Sequence, residues 1–109
     1  MSYEVTATPR FKRDIKGLAK KYRSLKQEYA DLISSLEENP FQGDALGENC
    51  FKIRLSIASK GKGKSGGARV ITHILIEEKT VFLLTIYDKA EKESITDKEL
   101  KELLAQLPE

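Results

Sequence analysis

Six basic residues, Lys52, Arg54, Lys60, Lys62, Lys64 and Arg69, lie between Phe51 and Ile76, and no acidic residue interrupts them. The whole chain has a formal net charge of +2, which leaves −4 for everything outside that window. A concentrated cationic segment on an acidic background is an electrostatic footprint for a polyanion, with phosphate the obvious candidate. A solvated hairpin loop that carries lysines for solubility has the same composition. Composition alone divides the two readings evenly.

The reactive inventory is otherwise spare: one histidine, His73, and one cysteine, Cys50. Lysine and arginine without a histidine, metal or carboxylate pair suit attack by a ribose 2′-hydroxyl on its neighbouring phosphate. That reaction needs a base, a stabiliser for the pentacovalent charge and an acid for the leaving 5′-oxygen. Lysines crowded among other cations lose basicity, so one can serve as base. Arginine stays charged and grips phosphate oxygens with two parallel hydrogen bonds. A tyrosine at a strand end, such as Tyr87, can donate a proton or stack on a base. Any RNA-binding hairpin would offer the same spacing.

Other chemistries fit less well. Gly63-Lys64-Ser65 invites a nucleotide-binding reading, but the required glycine five positions earlier is Ala58. That loop must also lead into a helix whose N-terminus meets the phosphates, and Gly66-Gly67 leads into a β-prone run. His73 sits mid-strand, where a hydrogen-bonded face residue is the commoner outcome, although by parity it shares a face with Arg69. Cys50 precedes a strand with no obvious base partner. The basic residues Arg10, Lys12, Arg13, Lys16, Lys20 and Lys21 read as a solvated helix face. No metal site and no cofactor are expected from one cysteine and one histidine.

These residues must be positioned by a small domain. The 109 residues form a single domain, 1–109, and 39% hydrophobic with 33% charged content suits a soluble fold with much surface. No apolar run approaches the roughly 20 residues that span a bilayer. The first residues lack the layout of a signal peptide, so a cytoplasmic location is expected.

Tyr3 to Thr6 reads as a short strand. Thr8-Pro9 opens a helix on which Phe11, Ile15, Leu18, Ala19 and Tyr22 share one face. Leu25, Tyr29, Leu32, Ile33 and Leu36 repeat the spacing in a second helix that stops at Asn39-Pro40. Residues 41–49 read as a loop. Phe51, Ile53, Leu55 and Ile57 alternate with Lys52, Arg54 and Ser56 in a half-buried strand with a basic face. Arg69 to Ile76 and Val81 to Tyr87 complete an antiparallel meander. Thr96 and Glu99 fit a capping box for a last helix striped by Leu100, Leu103, Leu104 and Leu107. The expected class is α+β, in the order β-α-α-β-β-β-α, with a helical hairpin packed on an antiparallel sheet.

The chain resembles the RelE/ParE superfamily of toxins from type II toxin–antitoxin systems, and within it the HigB-like toxins. The resemblance runs from Phe11-Lys12-Arg13-Asp14-Ile15 through Asn39-Pro40 and Phe51-Lys52-Ile53-Arg54. Its specific part is Ser59-Lys60-Gly61-Lys62-Gly63-Lys64 with Gly66-Gly67 and Arg69-Val70-Ile71, closing with Leu83 to Glu91. It implies a small RelE-like fold and a metal-independent mRNA endonuclease (an mRNA interferase) that acts in the decoding site of the 70S ribosome and inhibits translation. It also implies a cognate helix-turn-helix antitoxin.

By this resemblance Lys60, Lys62, Arg69, Tyr87 and Lys89 are the catalytic candidates, and Lys52, Arg54, Lys64 and Lys92 the RNA-binding ones, to which the shared strand face adds His73. The chain departs from the RelE pattern where Ala90 replaces an arginine and Ile95-Thr96 replaces a late aromatic. The general acid is then Tyr87, Lys89, Lys92 or a group of the ribosome. Two alternatives stand beside the nuclease: a ParE-type inhibitor of DNA gyrase without nuclease activity, and a general RNA-binding module.

Overall fold

The computed structural model describes residues 2–60 and 66–107. Lys62 and Lys64 therefore lie outside the described residues. Strand β1 (Glu4–Ala7) leads into helix α1 (Pro9–Lys21) and helix α2 (Leu25–Glu38). Strands β2 (Asp44–Gly47), β3 (Cys50–Leu55), β4 (Ala68–Leu75) and β5 (Thr80–Asp88) follow, and helix α3 (Asp97–Ala105) closes the chain. The strands form one sheet in the order β1-β5-β4-β3-β2.

The helices begin and end where local chemistry requires. The Thr8 side chain accepts a hydrogen bond from the Phe11 N–H, and Pro9 supplies a preset φ at the first turn. The Thr8 hydroxyl also donates to the Leu83 carbonyl at 2.9 Å, which ties the start of α1 to β5. At α3 the Thr96 and Glu99 side chains and backbones satisfy each other in a complete capping box. Ile95 packs into the same cluster as Leu100, as a hydrophobic staple does.

Two features differ from the sequence reading. Residues 44–47, expected as loop, form an edge strand: Glu48 and Asn49 both take positive φ, at 54° and 60°, in the two-residue turn that joins it to β3. Gly43, at φ 98°, lets this strand approach β3, since a Cβ there would stand 2.4 Å from the Lys52 carbonyl oxygen. The sheet is also mixed rather than antiparallel throughout, because β1 pairs in parallel with the first half of β5.

The sheet has a core on each face. Phe11, Leu25, Leu32 and Leu36 of the helical hairpin pack on Ile53, Val70, Ile74, Val81, Leu83 and Ile86. On the opposite face Leu100 and Leu103 of α3 pack on Cys50, Ile71, Phe82 and Leu84. Leu84 and Ile86 are two residues apart yet face opposite cores. The cause is a β-bulge: Ile71 pairs with Thr85 and Thr72 with Leu83, so Leu84 is the extra residue. A one-residue offset reverses the side on which every later side chain falls. It therefore sends Tyr87 to the α3 face and Asp88 to the hairpin face.

Candidate functional site

Alternation along β3 and β4 turns Lys52, Arg54, Arg69 and His73 to the α3 face. The register places Arg54 opposite Arg69, and Arg69 opposite Tyr87. A row Arg54–Arg69–Tyr87 thus crosses three strands, spanning roughly 10 Å at the usual strand spacing. Lys52 stands one step along, opposite Ile71. Arg54 is well exposed and its guanidinium lies 4.0 Å from the Asp44 carboxylate, a weak surface pair. Arg69 is 5% exposed, and its guanidinium donates to the Ala68 carbonyl at 3.1 Å. Its buried shaft and backbone-anchored head hold the planar fork in place.

Tyr87 completes the row through its phenol. Burial pushes the phenol's pKa up, Arg69 opposite pulls it down and Glu99 pushes it up again, with a net rise. The hydroxyl is therefore a protonated donor at neutral pH. Among the described residues it has no hydrogen-bond partner. The Ile95 N–H contributes a small lowering but does not reach it in hydrogen-bond geometry. Lys92 Nζ sits over the Tyr87 ring, 5.5 Å from its centroid, and pairs with the Glu99 carboxylate. The hydrogen bond from Lys92 and those from Thr96 hold the Glu99 carboxyl at about 2.

The other sequence candidates fall elsewhere. Lys60 is on the hairpin face, where its Nζ lies 2.5 Å from Asp88 Oδ1 and its side chain is 7% exposed. There the ammonium of this catalytic candidate is committed to a buried carboxylate, on the face opposite Arg54, Arg69 and Tyr87. Lys89 Nζ forms a 3.7 Å pair with Glu93 just past the end of β5. His73 stands four residues from Arg69, roughly 13 Å along the strand, and is not part of the row. It is instead 3.5 Å from the Cys50 sulfur, so Cys50 has the neighbour that its sequence context did not reveal. Burial, with a smaller push from Glu48, drives that thiol up to about 11, so it stays protonated and inert.

Asp88 and Tyr22 escaped the sequence reading: an aspartate in a charged stretch and an aromatic on an apolar helix face carry no signal of their meeting. A groove of about 940 Å³ runs between α1, the end of β5 and α3. It shares Tyr87 with the row and also takes in Lys92, but not Lys52, Arg54 or Arg69. Its walls hold four cationic and five acidic side chains, so it does not favour a polyanion, and the cationic row is the better phosphate site. Among the described residues no three His, Cys, Asp or Glu side chains converge to hold a metal ion, and no helix is long and apolar enough to cross a membrane.

A mixed five-stranded sheet with a helical hairpin on one face and a short helix on the other defines an α+β toxin fold. The chain belongs to the RelE toxin family: the family model for the RelE toxin of RelE/RelB toxin–antitoxin systems matches residues 10–107. Its fold is similar to that of a doubly substituted E. coli RelE in the free state, with a TM-score of 0.64 at 18% identity over 99% of this chain and 100% of that one. The same toxin in complex with a peptide of the antitoxin RelB gives 0.58 at 19% identity over 99% and 100%. A RelBE toxin–antitoxin complex from Mycobacterium tuberculosis gives 0.56 at 21% identity over 83% and 94%.

Proposed function

We propose that this RelE-family toxin is a ribosome-dependent mRNA endonuclease that needs no metal and promotes attack of a ribose 2′-hydroxyl on the adjacent phosphate. The observation that carries the reading is the in-register row Arg54–Arg69–Tyr87 on one sheet face. Arg69 offers its fork to the non-bridging oxygens, where charge develops in the transition state. Arg54 and Lys52 meet the neighbouring phosphates. The protonated Tyr87 hydroxyl donates to the leaving 5′-oxygen or, with its ring, supports a base. Lys92, poised over that ring, adds positive charge at the same end. Lys62 is kept as the candidate base and Lys64 as an RNA contact, while Lys60 leaves the set that touches RNA.

The partners that follow are the decoding site of the 70S ribosome with its mRNA and a cognate helix-turn-helix antitoxin. The antitoxin is supported by the complexes in which similar toxins were solved. The glycine-rich stretch from Ser59 to Arg69 supports placement on the HigB-like branch, and the cell compartment is the cytoplasm. Primer extension on cellular mRNA after a brief induction tests the reading. Stops at defined codon positions, absent with Arg69→Ala, support it. Gyrase-linked DNA breaks without mRNA cleavage would replace it with gyrase inhibition.

A further inference from the structure

Asp88 is the terminal residue of β5 and is 2% exposed. Its carboxylate accepts three hydrogen bonds, from Lys60 Nζ at 2.5 Å, Tyr22 Oη at 2.7 Å and the Ala90 N–H at 2.9 Å. Its carbonyl accepts two more, from the N–H groups of Glu91 and Lys92. One buried residue thus joins the end of α1, the 3₁₀ turn Ala58–Lys60, the end of β5 and the turn beyond it. Lys60 Nζ also lies 5.4 Å from the Tyr22 ring centroid, so the charge is shared with a π-face.

The turn that delivers Lys60 is itself fastened. The Ala58 N–H donates to Glu28 Oε2 at 2.7 Å, and the Ser59 N–H donates to Ser24 Oγ at 2.9 Å. Beside the carboxylate, the Lys89 N–H donates to the Gly67 carbonyl at 3.1 Å. A Cβ on Gly67 would stand 2.1 Å from the Leu55 carbonyl oxygen, so β3 and the start of β4 are held close at this corner. The corner lies behind the row, because Tyr87 and Asp88 are consecutive and point to opposite faces.

We propose that Asp88, with Lys60 and Tyr22, is a positioning device for Tyr87 and Arg69. The buried carboxylate holds the end of β5 in its bulge-reversed register, and Lys60 is the counter-charge that lets the carboxylate be buried. The catalytic consequence rests on the nuclease reading above, whereas the structural one does not. A buried carboxylate held by three hydrogen bonds loses much when its charged partner is removed, since the remaining charge is stranded. Arginine at residue 60 preserves the charge and the pair but cannot accept a proton in turn.

The test compares Lys60→Arg, Lys60→Met, Asp88→Asn, Tyr22→Phe and the double variant Lys60→Met/Asp88→Asn, which strands no charge. Each is assayed for cleavage of ribosome-bound mRNA and for the ring signals of Tyr87 in spectra of protein with 13C-labelled tyrosine. Lys60→Arg is expected to keep kcat within about threefold with an unchanged pH–rate profile, whereas Lys60→Met and Asp88→Asn lower kcat at least about tenfold with little change in KM. The latter two, and the double variant, shift the Tyr87 signals, and Tyr22→Phe shifts them less. Loss of cleavage in Lys60→Arg with unmoved Tyr87 signals overturns the proposal and makes Lys60 a group that touches RNA. Full cleavage by a folded double variant overturns it too. If the unsubstituted toxin cleaves nothing, the nuclease reading fails by itself. The Tyr87 signals then decide, and unmoved signals in the double variant contradict the positioning role.

Discussion

Arg69 and Tyr87 stand directly opposite each other in the antiparallel β4–β5 ladder, close enough for the guanidinium to oppose the upward push that burial gives the phenol. The pair exists because Leu84 is bulged out of the ladder. Were Leu84 instead kept in regular alternation within the ladder, Tyr87 would point into the core under the helical hairpin.

Tyr87→Phe separates chemistry from stability. The hydroxyl has no hydrogen-bond partner among the described residues, so its removal is expected to change unfolding free energy by less than about 1 kcal/mol. Single-turnover cleavage should fall by about 10²-fold if the hydroxyl donates to the leaving oxygen. Denaturant titration and a rapid-quench assay measure the two effects. Equal cleavage by both proteins would leave Tyr87 only a stacking role.

Lys52 and Arg54 are assigned to phosphates rather than to bases. Replacing either with alanine should weaken single-stranded RNA binding at low salt regardless of sequence. Each should reduce the slope of log K against log salt by about 0.7. Fluorescence anisotropy over a salt series reads this directly. An unchanged slope would remove that residue from the interface.

Acid stability follows from Asp88. Burial alone would raise its carboxyl, but hydrogen bonds from Lys60, Ala90 and Tyr22, with the attraction of Lys60, overcome this and hold it at about 2 against an ordinary 3.8. A depressed carboxyl adds stability that is fully present above its unfolded value and is lost as pH falls toward its folded value. The contribution, on the order of 2 kcal/mol, should therefore be intact at pH 7 and drain away between about pH 4 and 2. Urea melts of Asp88→Asn should lack this component of the pH dependence.

Cys50 should behave as a core residue. It is 1% exposed and its thiol is pushed up to about 11, so a thiol reagent should modify the folded protein far more slowly than the urea-unfolded one. Cys50→Ala is expected to leave cleavage unchanged. Rapid labelling of the native state at pH 7, measured by mass, would contradict both the burial and the inert state.

The elements were legible because their signals are local. Thr8-Pro9 and the Thr96–Glu99 box announce helix starts, and the alternation through Phe51, Ile53 and Leu55 announces a strand with a basic face. Arg54, Arg69 and Tyr87 could be chosen by type and position. Their alignment could not, because strand parity holds only within an uninterrupted ladder and the Leu84 bulge resets it. Lys60 looked like a member of the cationic cluster until its carboxylate partner, distant in sequence, appeared on the other face. His73 shares parity with Arg69 but lies too far along the strand. The short edge strand before β3 was hidden by Gly43 and Gly47, whose role is to permit the turn and the close approach.

The account turns on phosphate chemistry at Arg69. Purified toxin, programmed 70S ribosomes and end-labelled mRNA measure it on a denaturing gel. The account predicts ribosome-dependent cleavage that leaves a 2′,3′-cyclic phosphate and falls at least about 10²-fold in a folded Arg69→Ala protein. Undiminished cleavage by Arg69→Ala, or no cleavage by the unsubstituted toxin on ribosomes, would contradict it.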